Sequence, residues 1–297
     1  MENIVFIVSD GIGKNIMATA PLRGIRQKYP DSKITIVASH PEVFRGNPHV
    51  DEIYAMQATP NFYENHKDAM VLCAQPYYHP DYISKKKHLI DCWCEQLDIP
   101  CDGEGPEIFL NKLEKEKGLD FIRSKNRPVL AIQWQGGASP KVAQDGSIVT
   151  PKMFVRGLHS KVVQNIIATL QEKYHILCLE YSNQPHIMGA EPFYTNLRDT
   201  FSVINSANKL LCIDSFAMHA AKGMGKDSVV CWAGTNPNIL GYKSNINIRM
   251  NECPDPECGR PNSFLLDVDF KNEPWVCPYG ELCTRHDEQD ILDALGV

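Results

Sequence analysis

The chain has 297 residues, 43% of them hydrophobic and 22% charged, a packed globular composition that excludes long disordered tails. Its length suits two domains of about 150 residues each, the scale at which one hydrophobic core stops growing, and so allows a cleft between them. A net charge of -6 excludes a surface basic throughout, as sequence-independent nucleic-acid binding requires, and no apolar run approaches the roughly 18 residues that span a bilayer.

Residues 3–9 (NIVFIVS) predict a strand that starts without the plan of a secretory leader, so the protein is expected in the cytoplasm. Gly11-Ile12-Gly13 predicts a tight turn into a helix running toward Tyr29, which Pro21 should kink or whose true start it should mark. Residues 33–38 (KITIVA) predict a second strand, giving a parallel pair joined by a right-handed crossover. Strands are expected over 52–54 and 70–74, and Leu89, Ile90, Trp93 and Leu97 mark one face of a helix. The charged stretch 111–128 precedes an apolar strand at 129–133, which puts a domain boundary near Asn126 and defines units 1–125 and 126–297. Leu158, Val162, Ile166 and Leu170 recur every four residues, residues 175–179, 209–213 and 228–231 predict strands, and 287–295 predicts a last amphipathic helix capped by Asp287. The alternation, free of solenoid-period repeats, predicts two doubly wound α/β domains.

Three stretches narrow the choice further. Residues 11–54 (GIGKNIMATAPLRGIRQKYPDSKITIVASHPEVFRGNPHVDEIY), 196–225 (NLRDTFSVINSANKLLCIDSFAMHAAKGMG) and 232–242 (WAGTNPNILGY) resemble, in order and spacing, the heptosyltransferase-like enzymes of glycosyltransferase family 9. The resemblance implies the GT-B fold, with two Rossmann-like domains facing each other across a nucleotide-sugar cleft. The first domain would hold the acceptor and the second the donor, with the last helix returning to the first. It further implies a cytoplasmic glycosyltransferase whose donor is a nucleotide sugar and whose anionic acceptor is lipopolysaccharide core, reached by peripheral membrane contact.

Carried onto this sequence, the donor would be held by Asp214, Ser215 and His219 at a strand-to-helix turn, by Gly137 and Lys152, and by Thr235 in the Gly-Thr-x-Pro loop. The same residues also fit plainer roles: a helix cap, a core histidine, a solvated lysine and a turn. Two departures stand out. Phe216 occupies a place where the family usually has glycine, and Lys14 stands where the family has its proposed catalytic aspartate. Asp10, at the end of the first strand, is the carboxylate that could replace that base, or it could simply bond the turn backbone. Gly13, Lys14, Tyr78 and Lys86 are the expected acceptor contacts, the last two from residues 75–88 (QPYYHPDYISKKKH), whose interleaved aromatics and cations suit sugar rings, bases and phosphates.

That stretch opens a second reading, a phage enzyme glycosylating hydroxymethylated pyrimidine in DNA; the missing aspartate opens a third, an inactive sugar-nucleotide-binding protein. A nicotinamide oxidoreductase ranks last, because Gly11-Ile12-Gly13 lacks the third glycine of the dinucleotide fingerprint. Eleven cysteines without an export signal argue against a disulfide framework. Cys253, Cys258, Cys277 and Cys283, among many prolines, fit either a structural zinc site stapling a loop-rich tail or free thiols.

Overall fold

The computed structural model describes residues 3–136, 141–142, 148–149, 156–180, 186–250, 252–254 and 279–297. In the first unit β1 (Asn3–Val8) leads through α1 (Ile12–Met17) and α2 (Thr19–Lys28) to β2 (Lys33–Ala38), then to β3 (Glu52–Ala55), α3 (Phe62–Asn65), β4 (Met70–Leu72), α4 (Pro80–Ile83) and α5 (Leu89–Gln96). The helix after the glycine turn is two helices meeting at Ala18, with Pro21 in the first turn of α2, where its missing N–H costs nothing. The sheet order is β3-β2-β1-β4, all parallel, with Phe6 opposite Ile36 on one side and Leu72 on the other. Strand β1 is almost wholly apolar because helices cover both of its faces.

Helix α6 (Lys112–Arg123) follows a capping box in which Asn111 and Glu114 satisfy each other's backbone N–H groups. It packs on α8, and Gly118 is the crossing point: a Cβ there would lie 2.3 Å from the Ser202 carbonyl oxygen. Next come β5 (Val129–Ile132), the short antiparallel pair β6 (Lys141–Val142) and β7 (Ile148–Val149), α7 (Ser160–Leu170), β8 (His175–Leu179), β9 (Glu191–Phe193) and α8 (Leu197–Ser206). The chain then runs through β10 (Lys209–Ile213), α9 (Phe216–Gly223), β11 (Val229–Trp232), α10 (Pro237–Leu240), β12 (Ile246–Arg249) and α11 (Glu288–Leu295). Six parallel strands form the second sheet in the order β12-β11-β10-β5-β8-β9.

Strand pleating divides the second unit's apolar residues between two cores. Val129, Ala131, Leu210 and Cys212 face the first, while Leu130, Ile132, Leu211 and Ile213 face the second. The first core is continuous with that of the N-terminal unit, running from Ile4, Phe6 and Trp93 through Met218 and Ala220 of α9. The two units are therefore joined by buried apolar surface as well as by the chain. Helix α11, expected to return to the first unit, packs among the described residues on the second. Its apolar stripe, Ile291 and Leu295, fills the second core against α7 and the β11-β12 edge.

Candidate functional site

In an open parallel sheet, the strands on either side of the point where the winding reverses send their following loops apart, and the crevice beyond their carboxyl ends receives ligands. Each unit has one such point. In the first it lies between β1 and β4, and in the second between β5 and β10. Residues 9–11 and 73–75 follow the first pair of strands; residues 133–136 and 214–215 follow the second. The crevices are brought together by α1 and α9, which pack so closely that a Cβ on Gly13 would sit 3.0 Å from His219 Cδ2.

On the first side, Asp10 adopts φ +73°, a left-handed conformation that aspartate tolerates better than most side chains. Its carboxylate accepts from Lys14 Nζ at 2.6 Å, Ser9 Oγ at 3.0 Å and Gln75 Nε2 at 3.3 Å. Burial alone would raise the Asp10 pKa, but the bonds and charge of Lys14, with Ser9 and Gln75, hold it below the ordinary value. Lys14 itself is only 4% exposed, its ammonium 5.8 Å from the ring centres of both Tyr77 and Trp93. Lys14 is thus a buried partner of Asp10, not a solvated lysine. The Asp10 side chain keeps 55% of its surface exposed.

On the second side, Asp214 is buried and lies 3.8 Å from Arg156, yet its Oδ2 has no hydrogen-bond partner among the described residues. Ser215 is the N-cap residue of α9, but its hydroxyl donates to Gln133 Oε1 and makes no cap bond to the helix. Gln133, 1% exposed, is left with an unpartnered Nε2, and Thr235, at the same end of the sheet after β11, with an unpartnered Oγ1. His219 is buried, hydrogen-bonded through Nδ1 to the Tyr242 hydroxyl at 2.6 Å, and burial together with the neighbouring His88 and Arg156 pushes its pKa down to about 3. Phe216 turns its bulk toward the shared core.

Tyr77 bridges the two sides. Burial raises its pKa, and its hydroxyl feels Arg156 and Asp214 from one unit and Asp10 from the other. Of the aromatic and cationic stretch, Tyr82 also turns inward, its ring 5.5 Å from that of Tyr77. Lys87 spans Asp81 at 3.0 Å and Glu95 at 2.6 Å, so its ammonium fills the space between these carboxylates beside His79. Tyr78 and Lys86 are exposed at the surface. Gly137 and Lys152 lie outside the described residues, as do Cys258 and Cys277; Cys253 and Cys283 are buried in one small cluster with Ala233. Sequence reasoning gave no role to Gln75, although it opens the 75–88 stretch, and missed Gln133 and Arg156, which belong to no motif.

No family model matches the chain, and no curated protein matches it. Solved structures do. A glycosyl transferase family 9 protein from Veillonella parvula shares 16% identity over 99% of this chain and 96% of its own, with a TM-score of 0.65. The E. coli ADP-heptose LPS heptosyltransferase II shares 13% identity over 100% of this chain and 98% of its own, with a TM-score of 0.66. TibC, an iron-containing dodecameric glycosyltransferase from enterotoxigenic E. coli, shares 13% identity over 99% of this chain and 77% of its own, with a TM-score of 0.69. With two parallel α/β units meeting at their switch points, the chain has the GT-B fold of these glycosyltransferases.

Proposed function

We propose that the chain is a glycosyltransferase that moves a sugar from a nucleotide-sugar donor to an anionic acceptor, with lipopolysaccharide core as the first acceptor to test. One observation carries the reading: at the second switch point a helix N-terminus without a side-chain cap lies beside two buried polar atoms that lack a hydrogen-bond partner among the described residues, Gln133 Nε2 and Asp214 Oδ2, the latter 3.8 Å from Arg156, and Thr235 Oγ1 at the same end of the sheet lacks one as well. Each such atom costs about 1–3 kcal/mol while unsatisfied, and phosphate oxygens and sugar hydroxyls are groups that would satisfy them. The N–H groups of the first turn of α9, with Arg156 near Asp214, would stabilise the negative charge that develops on a departing diphosphate. Gly137 and Lys152 belong to the same donor region in this reading. Across the crevice, Asp10 is the base for the acceptor hydroxyl, kept ionised and oriented by Lys14.

Solved neighbours named for heptosyl transfer make ADP-heptose the first donor to try. The Lys14–Asp10 ion pair, which costs Asp10 basicity, favours one other reading, a protein that binds sugar nucleotides without turning them over. Thermal-shift measurement with nucleoside diphosphates and nucleotide sugars, followed by a transfer assay, separates them. A stabilising donor that is consumed supports transfer; a stabilising donor never consumed supports binding alone; no stabilisation by any nucleotide rejects both. For the tail, we propose that Cys253, Cys258, Cys277 and Cys283 hold a structural zinc, which metal-free protein straight from purification would rule out.

A further inference from the structure

A serine at a helix N-cap ordinarily turns its oxygen onto the N–H of the second or third helical residue, and in doing so closes the helix end to other ligands. Ser215 does not. Its backbone is extended, as a cap requires (φ -159°, ψ 176°), but the hydroxyl is engaged by Gln133 Oε1 and no side-chain bond reaches α9. The first turn of α9 contains no acidic residue that could substitute for the cap. Gln133 is fixed where it stands: its N–H bonds Leu211 O at 2.9 Å, so it extends β5 beside β10, and its side chain is 99% buried by the surrounding fold. Because Oε1 is taken, the amide presents Nε2 as its other end, and that donor has no partner among the described residues.

We infer that Gln133 is a positioning residue that holds the α9 N-terminus open for an anionic group. This rests on the donor-site reading above and adds to it a residue, a specific atom and a division of labour. Oε1 draws the Ser215 hydroxyl away from the Ala217 and Met218 N–H groups, which would otherwise donate to its oxygen. Nε2 stands beside the opened turn as a neutral hydrogen-bond donor. The ligand chemistry is a diphosphate: oxygens for the freed amides and for Nε2, and negative charge for the positive end of the helix.

Two substitutions separate the two ends of the amide. In Gln133→Leu both are lost, so Ser215 is released to cap α9. In Gln133→Glu the acceptor for Ser215 remains, while the Nε2 donor is replaced by negative charge. Hydrogen–deuterium exchange across residues 215–222, in protein without ligand, reads the cap directly. The expected result is exchange several-fold slower in Gln133→Leu than in the unaltered protein, and unchanged exchange in Gln133→Glu.

Titration with ADP and with inorganic pyrophosphate then reads the ligand, with a loss of roughly ten-fold in affinity expected for both variants, equivalent to about 1.4 kcal/mol. In Gln133→Leu carrying Ser215→Ala, which cannot cap, exchange should return to the fast value. Unchanged exchange in Gln133→Leu overturns the inference, as does slowed exchange that Ser215→Ala fails to reverse. If Gln133→Leu slows exchange but the unaltered protein binds neither ADP nor pyrophosphate, the donor-site reading fails while the control of the cap by Gln133 stands.

Discussion

At the scale of single residues, the decisive pair is Asp10 and Lys14. A carboxylate can accept a proton only while ionised, and Lys14, 2.6 Å away and buried, extends the ionised range downward in pH. Transfer should therefore be retained as pH falls through the ordinary carboxylate range and be lost only below it. Lys14→Met removes the cation, so the Asp10 pKa rises and the acidic limb of the rate profile moves to higher pH. An acidic limb that stays in place in Lys14→Met would mean that another group is titrating. Asp10→Asn, which keeps hydrogen bonding but cannot take the proton, should lower kcat by about 10²–10⁴-fold with little change in donor affinity. The sequence made Asp10 legible because a strand end followed by glycines is recognisable locally. Its ion pair was not legible, since that Lys14 faces back toward Asp10 rather than outward is decided by the Tyr77 and Trp93 rings packed beside it.

At the scale of elements, glycine in a helix usually weakens it, and replacement by alanine in an exposed helix gains about 1 kcal/mol. At Gly118 the sign reverses. The added Cβ would stand 2.3 Å from the Ser202 carbonyl, which is backbone and cannot swing aside, so α6 and α8 must separate. Gly118→Ala is expected to destabilise by about 1–3 kcal/mol in urea unfolding. Unchanged or increased stability would show that the crossing has room for a methyl group. Helix α6 itself carried a local signal: Asn111 and Glu114 have the spacing of a capping box, yet the charged composition around them suggested a boundary. Strands β9 and β12 gave no comparable signal, being short edge strands, one with Pro192 in its middle, whose partners are fixed only by tertiary order. The long apolar strands and α7 were legible because both faces, or one whole stripe, are buried.

At the scale of the molecule, the two units are tied by polar as well as apolar contacts. Buried Arg198 on α8 grips both Glu114 carboxylate oxygens at 2.7 Å, the Phe109 carbonyl at 2.6 Å and the Glu42 carbonyl at 3.3 Å. It joins α8 to the first unit and to the segment between the units. Arg198→Ala would leave Glu114 half-buried without its cation, and is expected to cost about 3 kcal/mol by chemical denaturation. Lysine should restore only part of this, because it lacks the planar fork that meets carboxylate and carbonyl together.

The histidines between the units make a further prediction with a definite sign. His219 is held neutral by burial, with His88 and Arg156 adding repulsion and the Tyr242 hydroxyl its hydrogen-bond partner; burial lowers His88 in the same way. Between the unfolded value near 6.5 and the folded value of about 3, the unfolded chain binds the proton that folded His219 refuses. Stability should therefore fall as pH drops below about 6.5, with a slope for this one group of about 1.4 kcal/mol per pH unit. His219→Gln keeps a hydrogen-bonding group near Tyr242 but cannot titrate, so its unfolding free energy, measured from pH 7 to 4, should fall less steeply by that amount. Parallel curves for the two proteins would show that His219 is not held neutral at the contact between the units.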